Sequence, residues 1–303
     1  MNQQRGLLIL AYLPLLVFGW QVWAQESLLS SLVKRIQPVV ATIAATLQRV
    51  PGQNLNFAIP GERVLALKSE KGRTQAEGTE GVTKEGLATA EGSFFKGLNY
   101  FWMKDHAKAL PYFKEAARRN PRYAAAWFYI GFCNDELGRW HDAVGAYQQA
   151  IRLKPDHALA HFNLGGAYEK LGRNQDAVAA LQEAIRLQPE DAEAHINLGV
   201  AYGKLRRNQD AIVAYQLALR FRPDYALAYI NLGGAYSNLG RNQDAVAAYQ
   251  QAIRLKPDDA RAHLGLGAVY LTLGDKGSAL EEYQILKTLD QNSANNLLRF
   301  IYQ

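Results

Sequence analysis

The stretch NLGGAYEKLGRNQDAVAALQEAIRLQP, residues 163–189, returns almost unchanged as NLGGAYSNLGRNQDAVAAYQQAIRLKP at residues 231–257. Close copies at a fixed interval are the mark of a stacked array, and Pro121, Pro155, Pro189, Pro223 and Pro257 set that interval at 34 residues. Each copy reads as two helices. Leu164, Ala167, Tyr168 and Leu171 recur at spacings of three and four, and Gly172 supplies a stop. Asn174 is placed to cap a second helix carrying Ala177, Val178, Leu181, Ala184, Ile185 and Leu187, and Pro189 ends it. A single hairpin of this kind cannot bury its apolar face alone, so neighbouring copies must stack into a solenoid.

With the repeat started at Ala124, its eighth position holds Gly131, Gly165, Gly199, Gly233 and Gly267, and its twentieth holds Ala143, Ala177, Ala211, Ala245 and Ala279. Small residues at these places are expected to let the two helices approach while Tyr168 fills the space beside them. Arg206 stands where Gly138, Gly172, Gly240 and Gly274 end the first helix elsewhere. A left-handed backbone at Arg206 costs on the order of 1 kcal/mol.

This pattern resembles the tetratricopeptide repeat family. The family's motif of an aromatic, Leu-Gly, Tyr, Ala, aromatic, Ala and Pro is carried by Tyr229, Leu232, Gly233, Tyr236, Ala245, Tyr249, Ala252 and Pro257. The resemblance implies an all-α fold, a right-handed superhelical solenoid of six helix-turn-helix units at 90–123, 124–157, 158–191, 192–225, 226–259 and 260–293. Ser93 and Lys96 depart from the motif in the first unit and Gln291 replaces the proline of the last, while residues 294–303 are expected to form a capping helix.

The resemblance also implies that the first helix of each unit lines a concave groove, with the second, fifth, sixth, ninth, twelfth and thirteenth positions toward a ligand. The fifth position then offers an apolar stripe of Phe128, Phe162, Ile196, Ile230 and Leu264, and the ninth offers Gly166, Val200, Gly234 and Ala268. Beside the stripe stand Asn163, Asn197 and Asn231. An Asn amide carries a donor and an acceptor, which suits sequence-tolerant pairing with a peptide backbone, and the ladder is similar to that in the repeat region of O-linked N-acetylglucosamine transferases. The same residues also suit a purely architectural role. The basic clamp of chaperone-binding family members is argued against by Phe94 and Leu98, which occupy two of its places.

Composition is globular and not disordered: 49% of residues are hydrophobic and 20% charged, which is enough to bury a core. The net charge of +6 is spread over short runs such as Arg118-Arg119 and Arg206-Arg207, so no nucleic-acid stripe is formed. Cys133 is the single cysteine and is expected to pack inside a helix pair. His161, His195 and His263 share the fourth repeat position with Trp127 and Tyr229, which makes it a packing position. His157 and His161 have i, i+4 spacing but no third ligand, so neither a metal nor another cofactor is implied.

Ahead of the array, MNQQR and GLLILAYLPLLVFGW read as a secretory signal over 1–24, with cleavage after Ala24 or retention as a membrane anchor as the two alternatives. Residues 68–86 are polar and aperiodic and read as a flexible linker. Between them, at 25–67, SLVKRIQPVVATIAA and GQNLNFAIPGERVLAL resemble the opening and closing segments of HtrA-like serine proteases of the trypsin fold. Only Thr46, Leu47, Gln48, Arg49, Val50 and Pro51 separate them, every histidine lies at 106 or beyond, and no GNSGG-like nucleophile loop occurs. The expectation is therefore a non-enzymatic, exported scaffold or adaptor that binds a protein or peptide in its groove. The alternatives are a degenerate protease–repeat fusion product and a substrate-binding arm for a separate enzyme; location is periplasmic or secreted, or at the inner membrane through the uncleaved segment. Oligomeric state is left open by the sequence.

Overall fold

In the computed structural model the described residues are 89–302, and thirteen α-helices and no strand occur among them. The first helices of the six units are α1 (Ala90–Trp102), α3 (Ala124–Glu136), α5 (Ala158–Lys170), α7 (Ala192–Lys204), α9 (Ala226–Asn238) and α11 (Ala260–Thr272). Their partners are α2 (His106–Arg119), α4 (Trp140–Leu153), α6 (Asn174–Leu187), α8 (Asn208–Phe221), α10 (Asn242–Leu255) and α12 (Lys276–Leu289), and α13 (Gln291–Ile301) closes the array. The signal or anchor, the protease-like segments and the linker lie outside the described residues.

Each helix packs on the next in sequence, and α3, α5, α7, α9 and α11 also touch one another in turn. The first helices therefore form the inner layer, and the second helices reach the next unit through its first helix. The eighth-position glycines explain how closely the layers meet. A Cβ on Gly131 would lie 2.6 Å from the ring of Tyr147, one on Gly165 2.6 Å from Leu181 Cγ, and one on Gly199 2.5 Å from the ring of Tyr215. The side chain that needs the glycine is thus at the twenty-fourth position, and Ala177, though fully buried, is not the group that Gly165 accommodates. That same side chain reaches across to the sixth position of the following unit: Phe113 stacks on Tyr129 at 5.0 Å, and a Cβ on Gly265 would lie 2.4 Å from Tyr249.

Polar rungs tie successive units together. Gln148, Gln182 and Gln216 donate from Nε2 to the hydroxyls of Tyr168, Tyr202 and Tyr236 at 2.9, 3.0 and 3.1 Å. The same tyrosines support Arg173, Arg207 and Arg241, whose guanidinium carbons stand 4.5, 4.4 and 4.5 Å from the ring centroids and whose Nε groups donate to Asp176, Asp210 and Asp244 at 2.7 Å. Tyr168 is therefore a junction between units as well as a filler.

Gly138, Gly172, Gly240 and Gly274 adopt φ between 71° and 79°, and Arg206 takes the same left-handed turn at 57°. Lys104 does so too, at 58° in the first unit. Two expectations are corrected in detail. The N-cap of α6 is Arg173, with no side-chain cap, and Asn174 begins the helix with a buried Oδ1 that has no partner among the described residues. The closing helix starts at Gln291 instead of residue 294, because Asp290 accepts from the N–H groups of Asn292 and Ser293 at 3.1 and 3.3 Å.

Candidate functional site

The inner layer carries the candidate site, and its fourth position holds it in place. The ring nitrogens Nε2 of His161, His195 and His263 each stand 2.9 Å from the carbonyls of Pro155, Pro189 and Pro257, and Trp127 Nε1 donates to Pro121 O at 3.0 Å. A carbonyl only accepts, so the rings must be the donors. Trp and His interchange here because each puts an N–H at the same place. His263 also faces Glu282 Oε2 from Nδ1 at 2.6 Å, whereas the corresponding nitrogen of His195 is buried without a partner among the described residues.

The fifth-position stripe lies deeper than expected. Phe128, Ile196 and Ile230 are buried, while Phe162 and Leu264 are half-buried. The cause is visible in the first two units, where the last residue of a unit folds back over its fifth: Tyr123 covers Phe94 at 4.8 Å and His157 stacks on Phe128 at 4.8 Å. Most of the stripe therefore packs beneath the surface of the inner helices. Accessibility on those helices belongs instead to the second position, where Leu159 is exposed, and to the ninth, where Ala268 is exposed and a Cβ on Gly166 would meet nothing within 4 Å. Leu159 was legible as a second-position residue but was not singled out beside the fifth-position stripe.

Asn163, Asn197 and Asn231 all stand half-buried on the inner helices, but their surroundings differ. Asn163 faces the hydroxyl of the fully buried Tyr147, and its Nδ2 is itself buried without a partner in hydrogen-bonding geometry. Asn197 belongs to the unit that follows Leu181, which has no hydroxyl to offer. Near the ends of the inner helices, Lys204 Nζ donates to Glu169 Oε1 at 2.8 Å, joining α7 to α5. Burial raises the carboxyl of Asp135 above its ordinary value, helped by Glu136 and opposed by Lys170.

Cys133 is fully buried beside this surface, and burial, with a smaller contribution from Glu136, pushes its thiol up to about 12. A thiol so held is a packing group without nucleophilic character at neutral pH. Among the described residues no group of three His, Cys, Asp or Glu side chains is arranged to hold a metal ion, and no helix is long and apolar enough to cross a membrane.

Models described as the tetratricopeptide repeat match residues 96–138, 135–186 and 192–225, and a model described as the TPR repeat matches 170–205 and 235–274. No curated protein matches the chain. Among solved structures, MamA is 29% identical with a TM-score of 0.52, covering 55% of this chain and 97% of its own. YrrB, described as a TPR protein with an unusual peptide-binding site, is 20% identical with a TM-score of 0.53, covering 62% of this chain and 97% of its own. PilW, described as a widely conserved type IV pilus biogenesis factor, is 20% identical with a TM-score of 0.61, covering 69% and 98%. The last two likenesses are of fold alone.

Proposed function

The chain is a tetratricopeptide repeat protein, and from that premise we propose that its array is a non-catalytic scaffold whose inner groove binds a protein or peptide segment. The observation that carries this reading is the inner layer itself: open floor at Gly166 and Gly203, with Asn197 and Asn231 half-buried alongside and forming no hydrogen bond among the described residues. Amides in that state suit a ligand backbone, which presents donors and acceptors at regular intervals. YrrB, of the same fold, is described with a peptide-binding site.

Magnitudes decide what the ligand must bring. Three hydrogen bonds at about 0.5–1.5 kcal/mol each total roughly 1.5–4.5 kcal/mol. Association costs about 4–15 kcal/mol, so apolar contacts at the edges of Phe162 and Leu264 and on Leu159 must supply the rest. The ligand is accordingly an extended or helical segment with apolar side chains. Export to the cell envelope is supported by the N-terminal sequence pattern and is part of the same proposal.

Peptide display against the full chain tests the groove, beside a variant carrying Asn163→Ala, Asn197→Ala and Asn231→Ala with unchanged helicity. Peptides selected by the parent and lost from the variant are the expected result; equal selection by both would assign the asparagines to architecture. N-terminal sequencing of the chain recovered from cells tests export, and an intact Met1 in a soluble cytoplasmic fraction would refute it.

A further inference from the structure

The sixth position of each inner helix lies over the twenty-fourth residue of the unit before it, and that residue decides what an asparagine there can do. Asn163 on α5 faces the hydroxyl of Tyr147, and both that hydroxyl and Asn163 Nδ2 are shut away from solvent. At most the Asn163 Oδ1 is left to a ligand. Asn197 on α7 follows Leu181, which packs toward Gly165 and carries no polar atom to hold an amide. Asn231 on α9 follows Tyr215, whose ring lies toward Gly199 and which makes no hydrogen bond among the described residues. The amides of Asn197 and Asn231 are half-buried and unbonded among those residues, with neither nitrogen nor oxygen closed off. Each presents a free donor beside a free acceptor.

The surroundings of Asn197 ask for nothing charged. Lys204 on the same helix donates to Glu169 at 2.8 Å and Glu193 accepts from Arg222 at 3.5 Å, so the charges bordering unit four are spent on each other. The floor beside them is open: a Cβ on Gly203 would meet nothing within 4 Å, and one on Gly234 would make an ordinary contact with the Tyr249 hydroxyl at 3.6 Å. A donor and acceptor held side by side match the N–H and C=O of a peptide group that has no hydrogen bonds of its own. Inside a helix those groups are already bonded four residues apart, whereas an isolated extended chain leaves them free. We infer that the asparagine ladder is split: Asn163 serves the stacking of units two and three, while Asn197 and Asn231 read the backbone of an extended ligand segment laid across units four and five. This rests on the groove reading and narrows it, since a helical ligand is set aside and the seat has a place in the array.

The test is fluorescence anisotropy of the full chain with a fluorescein-labelled peptide of sequence Ser-Val-Ser-Leu-Ser-Val-Ser. One control is the same peptide N-methylated at Val and Leu, which removes backbone donors without altering side chains or charge. Another is a helical peptide of Glu-Ala-Leu-Ala-Lys repeats. The extended peptide is expected to bind, and to weaken about tenfold on N-methylation, with Asn197→Ala and with Asn231→Ala, while Asn163→Ala changes its affinity less than about twofold. Where an alanine variant lowers the urea midpoint, Asn197→Asp and Asn231→Asp, which keep the shape and lose the donor, replace it. Equal losses with Asn163→Ala and Asn197→Ala would overturn the split, and indifference to N-methylation or preference for the helical peptide would overturn the extended ligand. These results leave the groove reading intact. Binding of neither peptide would overturn the assignment as well, with peptide display deciding the groove reading independently. Binding indifferent to all three asparagines and to Gly203→Leu would refute the groove reading itself.

Discussion

Gly165 and Gly166 are neighbours in α5, and exchanging each for Ala separates packing from propensity. Both replacements remove a helix-interior glycine, which by itself stabilises by about 0.8–1.0 kcal/mol. At Gly166 nothing lies within 4 Å of the new Cβ, so the full gain is expected. At Gly165 the Cβ would stand 2.6 Å from Leu181 Cγ and 3.0 Å from its Cδ2. Leu181 is 1% exposed and has no free direction to yield, so overpacking costs about 1–3 kcal/mol and the net change is a loss of about 0–2 kcal/mol. The difference between the two variants cancels the unfolded-chain and propensity contributions and isolates the overpacking cost. Urea unfolding followed by far-ultraviolet circular dichroism measures it, provided the slope is unchanged. A separation below about 0.5 kcal/mol would refute the claim that the eighth position is glycine for contact with the twenty-fourth.

Arg206→Gly is expected to stabilise by about 0.5–1 kcal/mol, since relief of the left-handed strain outweighs the added freedom of the unfolded chain; a fall in urea midpoint would contradict this. Gln182→Ala removes a rung to Tyr202 and should cost about 0.5–1.5 kcal/mol, whereas Gln284→Ala, at the equivalent place in the last unit but bonded there only to the exposed Lys287 at 3.4 Å among the described residues, should be neutral within about 0.5 kcal/mol. Equal losses at both positions would argue against the rung. Alkaline pH should also destabilise the array. Burial raises Cys133 and Tyr129 to about 12 and holds Tyr147, Tyr215 and Tyr249 above their ordinary values, while in the unfolded chain thiols ionise near about 8.5 and phenols near about 10. The stability these neutral forms contribute is complete below about pH 8.5 and is lost as pH rises toward 12. A urea midpoint that stays level from pH 7 to about 11 would count against that burial.

The number of helices in the array, their order and most of their ends were set by sequence alone, because the proline period, the helix-stopping glycines and the apolar spacing are local signals that each copy repeats. The left-handed turn at Arg206 was legible for the same reason, by comparison with Gly172 and Gly240. Burial of Cys133 followed from register, but the fourth position was legible only as a packing position, and the bonds from Trp127 and His161 to the proline carbonyls came from the structure. What sequence could not supply is who touches whom across units. The contact of Tyr147 with Asn163 and the rungs from Gln to Tyr each join residues whose spacing is fixed only when one unit stacks on another. That stacking decided the candidate site. It buried Phe128, Ile196 and Ile230, left Leu159 exposed and set Asn163 against the Tyr147 hydroxyl, because a side chain's accessibility depends on what the adjoining helix presents to it and not on its place in the repeat.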